Sequence, residues 1–465
     1  MSTANKLKVN VESDNFTETS HRSPVRALPS TWYNSPEMYE LEKRAIFSKK
    51  WLLTTHQNRF PKAGDWMKFN TTGYEFVIAR DRKGNLNAFH NICRHRAFPV
   101  VQGGQQGNSS IFACKYHGWS YGLSGNLAKA PNYDQLENFD KSKNGLFKIH
   151  LKVDAYGFVW VNLDSSENPE PWTRYFEGID QQERLEKVNW DDYTLDNEYS
   201  MEGEYNWKIL ADNFNECYHC PTTHPDLPTL ADLGKTKCDT GLGWIKHSSI
   251  QTEEQKKSGM QLASTYFYPS ASVVVLPHFM MIQRFMPLGP TASSMHYQIF
   301  RNKNSSEEDF HNIADLYARV VSEDKDLCIG AQKNLNAGIF VSGELHPRLE
   351  HGPLSFQESH RQAIHEHAKL EREAGKQIWP ARQQLPSDDA AEANKEDEAL
   401  CSSLSCGGIQ ELFSGATIIP WDESQPELRA LCDSYLLFDG DRSANITSAK
   451  PARLPSNTEV IDATN

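Results

Sequence analysis

The chain has 465 residues, enough for two or three domains with their own cores. Its formal net charge of −13 excludes the basic footprint that nucleic-acid binding requires. No run of about 18 apolar residues offers a membrane span, the start MSTANKLKVNVESDNFTETSHRS fits neither a secretory signal nor an Arg-rich transit peptide, and nine scattered cysteines suit a reducing, cytoplasmic setting without structural disulfides.

Residues 1–30 are polar and Ser/Thr/Asn-rich, and are expected to form a disordered tail. In Ser35–Lys50, Met38, Leu41, Ala45 and Ile46 recur at helical spacing, which predicts an amphipathic helix. From Trp51 to Leu163 short apolar runs alternate with turns, one of them at Lys83-Gly84, and the stretch closes on GFVWVNL. This predicts a small all-β domain over 31–168 with a leading helix. Within it stand Cys93-Arg94-His95 and, eighteen residues on, Cys114-Lys115-Tyr116-His117. Each loop supplies one thiolate and one imidazole. A Rieske [2Fe–2S] centre needs that pairing, because one iron takes two Cys and the other two His. Finger-type zinc sites instead group cysteines on one arm and histidines on the other. Gly103, Gly104, Gly118 and Gly122 suit tight ligand turns, and Arg94 and Arg96 would offset cluster charge.

Residues 169–385 are expected to form the second domain, with helices at TRYFEGIDQQERLEKV and EEDFHNIADLYARVVSEDKDLCIGAQKNL. The strands STYFYPSASVVVLP, HFMMIQRFMPL and SSMHYQIFR lie between them, an antiparallel α+β pattern. The run NWKILADNFNECYHCPTTHP reads as a helix stopped by Pro221, with His219 near its end and His224 in the turn beyond. Two His and one carboxylate on a single metal mark non-haem Fe(II) oxygenases. The carboxylate must come from far along the chain. The acidic run Glu323, Asp324 and Asp326 offers three candidates. Cys217-x-x-Cys220 has the spacing of a redox dithiol, but no thioredoxin-like βαβ pattern surrounds it, so packing near the metal is expected. Residues 386–465 form a poorly defined extension in which ELFSGATIIPWD and PELRALCDSYLLF are the candidate ordered pieces. Cys401 and Cys406 there have no His partners for a second metal site.

The stretch NICRHRAFPV…CKYHGWSYGLSGNL (91–126), with ECYHCPTTH and the run Glu323-Asp324-x-x-Leu327-Cys328…Gln332, resembles the Rieske non-haem iron oxygenase alpha subunits over about Trp32 to Arg382. Ala97 departs from the Gly usual there. The resemblance implies an N-terminal Rieske domain and a C-terminal helix-grip catalytic domain. It implies a cluster on Cys93, His95, Cys114 and His117, and iron on His219, His224 and Asp324. Glu216 would bridge a Rieske His of one subunit and an iron-binding His of the next, within a cyclic homotrimer. Glu before Cys-Tyr-His-Cys is similar to the branch acting on choline, glycine betaine and carnitine. That implies a small cationic substrate, O2, and electrons from a separate ferredoxin or flavin reductase, since no G-x-G-x-x-G is present. Choline to betaine aldehyde is the expected reaction. Demethylation of betaine- or carnitine-like compounds, natural-product tailoring, and a non-enzymatic electron carrier are the alternatives. Trp207, Trp244, Tyr266, Phe267, Tyr268 and Phe279 are candidate faces for cation–π contact.

Overall fold

The computed structural model describes residues 25–225, 227, 232–250 and 262–383, with three further strands at 435–439, 442–447 and 460–461. Of the tail expected to be disordered over 1–30, residues 1–24 lie outside the described residues, as do ELFSGATIIPWD and both Cys401 and Cys406, while 25–30 are ordered: Val25–Arg26 pairs with Glu344–Leu345 and Leu28 is buried. Tyr435–Asp439 pairs with Arg442–Thr447 and Val460–Ile461 in a small antiparallel sheet of a separate unit. Among the described residues no helix is long and apolar enough to cross a membrane.

Strand β1 (Val25–Arg26) leads into helix α1 (Pro36–Glu42). Ser35 caps α1 by accepting the Met38 N–H at 3.0 Å, and Pro36 sits in the first turn, where its missing N–H leaves nothing unsatisfied. The single helix expected over Ser35–Lys50 is not regular: Lys43–Phe47 winds as a π-turn. Arg44, Ala45, Ile46 and Phe47 are buried in succession, a run that one face of a regular α-helix could not accommodate.

The first layer is a seven-stranded sheet in the order β2-β11-β10-β5-β4-β3-β6. Its strands are β2 (Trp51–His56), β3 (Asp65–Thr71), β4 (Tyr74–Arg80), β5 (Leu86–His90), β6 (Gln106–Asn108), β10 (Lys148–Val153) and β11 (Phe158–Asn162). A small sheet of β7 (Phe112–Ala113), β8 (Ser120–Tyr121) and β9 (Leu127–Lys129) accompanies it. The turn expected at Lys83-Gly84 is present, with Asp81 Oδ1 accepting the Lys83 and Asn85 N–H groups.

The second sheet is also antiparallel and seven-stranded, in the order β12-β18-β17-β16-β15-β14-β13. It comprises β12 (Tyr193–Gly203), β13 (Asp232–Thr240), β14 (Trp244–Ile250), β15 (Ala263–Phe267), β16 (Ala271–Val275), β17 (Phe279–Gly289) and β18 (Ala292–Asn302). The helical reading of TRYFEGIDQQERLEKV fails. Only Thr173–Phe176 (α2) is α-helical, because Gly178 takes φ +72° and Gln182 is extended, leaving isolated 3-10 turns. Helix α3 (Trp207–Phe214) ends at Asn215, whose backbone and side-chain amides both donate to Ala211 O. Pro221 therefore does not stop that helix. It stands in the first turn of the short helix α4 (Cys220–Thr223). Two long helices follow, α5 (Glu307–Asn336) and α6 (His351–Ala374).

One apolar cluster joins Ile78 and Val161 of the first sheet and Phe47 of the π-turn to Tyr266 and Phe285 of the second sheet and Trp207 of α3. A polar knot lies inside it. Lys208 Nζ donates to Glu42 Oε1 at 2.6 Å, Trp207 Nε1 donates to Glu42 Oε2 at 2.9 Å, and His360 Nε2 lies 3.1 Å from Glu42 Oε1. Glu42, Lys208 and His360 are fully buried. The end of α1, α3 and α6 are thereby tied together.

Candidate cluster and iron sites

The two cluster loops are the same turn made twice. In the first, Cys93 O accepts from Ala97 N at 3.0 Å and Cys93 N donates to Phe98 O at 2.8 Å. In the second, Cys114 O accepts from Gly118 N at 3.0 Å and Cys114 N donates to Trp119 O at 2.8 Å. The residue four beyond each Cys has positive φ, +54° at Ala97 and +74° at Gly118. The position where the family has Gly is thus a left-handed one, and Ala97 bears the Cβ penalty there. Cys93 and Cys114 are buried, His95 is partly exposed and His117 is exposed. The two imidazoles lie 4.5 Å apart, and His95 stacks on Trp119 at 5.2 Å.

Two residues that sequence reasoning did not single out, Tyr121 and Asn91, shape this tip. Tyr121 OH accepts from Arg94 N at 3.0 Å and lies 3.3 Å from Cys93 Sγ, so its proton is free to point at sulfur. Asn91 Oδ1 accepts from Val100 N and Val101 N, clamping the neck of the first loop. The Arg94 guanidinium does not serve the cluster: it stacks on Phe147 and donates to Gly145 O. Arg96 lies over the Tyr116 ring at 5.5 Å.

The second site forms where α3 gives way to α4. Asn206 starts α3 by accepting from Lys208 N at 2.9 Å, and its own N–H is held by Gln332 Oε1 on α5 at 2.8 Å. After Asn215 the chain turns through Glu216, and His219 and His224 flank α4. Asp324 reaches in from α5. His219 Nε2 and His224 Nε2 are 3.2 Å apart, and Asp324 Oδ1 is 3.3 Å and 3.1 Å from them. Among the described residues this is the one group of His, Cys, Asp or Glu side chains whose ligand atoms converge as for a metal ion, all within 4.8 Å. Each imidazole is also held at its far nitrogen. Glu216 Oε1 lies 2.5 Å from His219 Nδ1, and Glu323 Oε2 lies 2.6 Å from His224 Nδ1. Glu216 Oε2 accepts from the backbone N–H groups of Tyr218 and His219. Asp326, one of the three acids left open by the sequence, is exposed on another face of α5.

The electrostatics suit a cation. Burial disfavours a charged His219 ring, but Asp324 and Glu216 outweigh it and push its pKa up to about 9. His224 is raised for the same reason by Asp324 and Glu323, again against burial. Two imidazole nitrogens, one carboxylate oxygen and far-side carboxylates on both rings form a donor set that fits non-haem Fe(II) and leaves its remaining positions open.

Two other expectations are corrected. No disulfide was expected, yet Cys217 and Cys220 are joined as one, with Cys220 Sγ packed 4.0 Å from His219 Nε2. Trp207 and Tyr266 are locked in the core, the first donating to Glu42 and the second to Pro269 O, and Tyr268 packs there against Phe356 and His360. The aromatic side chains in the field of Asp324 are instead Tyr205 and Tyr297, whose hydroxyls burial first, and Asp324 in addition, keep from ionising. Tyr205 OH is buried without a hydrogen-bond partner.

The family model for the Rieske [2Fe-2S] domain matches residues 50–140, and that for the ring hydroxylating alpha subunit (catalytic domain) matches 190–368. Chloroplastic choline monooxygenase of Spinacia oleracea is 30% identical over 342 residues, 70% of this chain and 75% of the relative. The carnitine monooxygenase oxygenase subunit of Acinetobacter pittii (strain PHEA-2) is 28% identical over 323 residues, 67% and 85% of the two chains. The solved quaternary ammonium Rieske monooxygenase CntA in complex with substrate L-carnitine matches with a TM-score of 0.65 at 26% identity, covering 74% of this chain and 96% of that one. Naphthalene 1,2-dioxygenase from Rhodococcus sp., at 19% identity and a TM-score of 0.60, covering 72% and 94%, shares the fold.

A Rieske tip and a His/His/carboxylate centre on one chain define oxygenases that take in electrons one at a time. The chain belongs to the Rieske oxygenase alpha subunits: it is a Rieske non-haem iron oxygenase whose cofactors are a [2Fe–2S] cluster and a mononuclear iron.

Proposed function

We propose that the chain hydroxylates a carbon of a quaternary ammonium substrate, with choline to betaine aldehyde as the reaction: a hydroxyl added at the carbinol carbon, one carbon removed from nitrogen, gives a gem-diol that loses water to the aldehyde. The observation that carries the substrate class is the joint likeness to choline and carnitine monooxygenases. In this reading Cys93, His95, Cys114 and His117 hold the cluster, and His219, His224 and Asp324 hold the iron. The cluster supplies single electrons from a separate reductase, and the iron supplies O2 activation. Glu323 fixes the ring plane of His224 through Nδ1, leaving Nε2 for the metal. Glu216 holds His219 in the same way and, in a cyclic trimer, offers its carboxylate to His117 of the neighbouring subunit.

Oxidation of carnitine or a carnitine-like compound is the second reading, favoured by the match to CntA along nearly its whole length. Oxygen uptake with choline, glycine betaine, carnitine and an aromatic acid decides between them. Uptake coupled to betaine aldehyde is the expected result. Coupled uptake with carnitine alone would move the assignment to the second reading, and coupling to the aromatic acid alone would overturn both. Iron analysis should give three irons per chain, and a value of two would reduce the chain to an electron carrier.

A further inference from the structure

We propose that Cys217 and Cys220 form a redox-modification site that passes between dithiol and disulfide in response to hydrogen peroxide and thereby controls the Glu216 carboxylate. The pair is closed in the structure with Cα atoms 4.9 Å apart, inside the range a disulfide accepts without moving backbone. The other described cysteines, Cys93, Cys114, Cys238 and Cys328, are free thiols, so the closure is local. The ring it makes contains Tyr218 and His219. Cys220 is buried, and its sulfur lies 4.0 Å from His219 Nε2, the nitrogen that faces His224 and Asp324. Cys217 is half-buried beside Tyr218, which is 62% exposed. One sulfur therefore borders the oxygen-handling site and the other lies toward the surface. In a reducing compartment such a bond is transient and redox-sensing rather than structural.

The chemistry balances. A reduced oxygenase that passes two electrons and two protons to O2 with no substrate to hydroxylate releases hydrogen peroxide. One thiol attacks a peroxide oxygen, breaking the O–O bond to give a sulfenic acid and water. The second thiol attacks that sulfur, expelling a second water and closing the disulfide. An external dithiol reverses it by two exchange steps and is itself oxidised to a disulfide. With the ring closed, both oxygens of Glu216 are occupied on their own loop, Oε1 by His219 Nδ1 and Oε2 by the Tyr218 and His219 amides. Opening the ring releases the backbone that carries those amides and lets an oxygen turn outward. On the reading that Glu216 bridges subunits, the disulfide is a brake on electron delivery.

The test uses the iron-loaded full chain, reduced with dithiothreitol and desalted under argon. The protein is then cycled with reductant in air without substrate, and the thiols are counted by differential alkylation and peptide mass spectrometry. One Cys217–Cys220 disulfide per chain should appear, be suppressed by catalase, and reopen with dithiothreitol under native conditions. In single-turnover assays cluster reoxidation should slow at least several-fold after peroxide treatment, while the Cys217→Ser/Cys220→Ser protein should keep its rate. A pair that stays fully alkylatable after stoichiometric peroxide overturns the proposal, as does a disulfide that resists dithiothreitol until the protein unfolds. Equal slowing in wild type and the double variant overturns the brake. The thiol count involves no organic substrate, so its outcome is separable from the choline reading.

Discussion

Ala97 and Gly118 hold equivalent places in two copies of one turn, and only Gly118 has the residue that φ above zero favours. A left-handed L-residue costs roughly 1–2 kcal/mol, offset in part by the greater chain entropy that glycine loses. Ala97→Gly should therefore keep stability within about 1 kcal/mol of wild type or raise it. Gly118→Ala should lower it by about 1 kcal/mol through its φ of +74°, since the new Cβ would stand only in ordinary contact with Pro131 Cγ at 3.4 Å. Thermal melts followed at the cluster's visible absorption read both. At the iron, His219→Ala, His224→Ala and Asp324→Ala should each lose the mononuclear iron and keep the cluster spectrum, while Asp326→Ala should keep both. Glu323→Gln should weaken iron binding by roughly 10–100-fold without abolishing it, because it loosens the orientation of His224 and not a ligand. Metal analysis after dialysis against a chelator ranks the three acids and two histidines; equal loss in Asp326→Ala would sink the assignment.

At the level of elements, α1 and its π-turn, α3 and α6 meet on charged side chains inside the core. Removing one partner of a buried pair costs about 3–5 kcal/mol, so Lys208→Met should destabilise by that much in denaturant melts, and Glu42→Gln/Lys208→Met by less, because the double variant leaves no unpaired buried charge. The pH dependence has two arms. Glu42 suffers a burial penalty that Lys208 and His360 outweigh, holding it at about 2, so its contribution is full above its ordinary value of 4.5 and is lost as pH falls toward 2. Asp212 runs the other way. Burial lifts it from 3.8 to about 7 although Tyr33 and Gln357 hydrogen-bond to it. Its protonated form contributes on the order of 4 kcal/mol below about pH 4, and that contribution is gone above about pH 7. Asp212→Asn should flatten the melting temperature between pH 4 and 7; an unchanged slope would contradict the assignment. That His219, His224 and an acid of the 323–326 run would converge was legible in the sequence, because paired histidines beside a cluster motif call for a carboxylate partner. The distinct roles of Glu323 and Asp324 were not, since adjacent acids differ only in where the helix points them. Helix α6 showed no clear apolar stripe because its buried face includes Gln357, His360 and His367. Pro221 misled because proline stops a helix and starts one equally well.

For the whole molecule, the proposed bridge makes the active unit a contact between two chains. Co-expressed His117→Ala and His219→Ala subunits, each inactive alone, should regain activity in mixed trimers, because an intact cluster then faces an intact iron. In random assembly roughly a quarter of the head-to-tail contacts are of that kind, so about that fraction of wild-type turnover should return. A mixture as inactive as its parts would place both metals' partnership within one chain. Within each subunit, α5 runs for 30 residues, from the Ser306 cap past Asp324 to Gln332, which grips Asn206 at the root of α3. Successive residues on such a helix stand about 100° apart around its axis. A slip of one residue would trade Asp324 for Glu323 at the histidines without changing a single atom of composition. The identity of the iron ligand is in that sense an angle, and the residues that hold α5 from turning are guardians of the metal's coordination as much as of the fold.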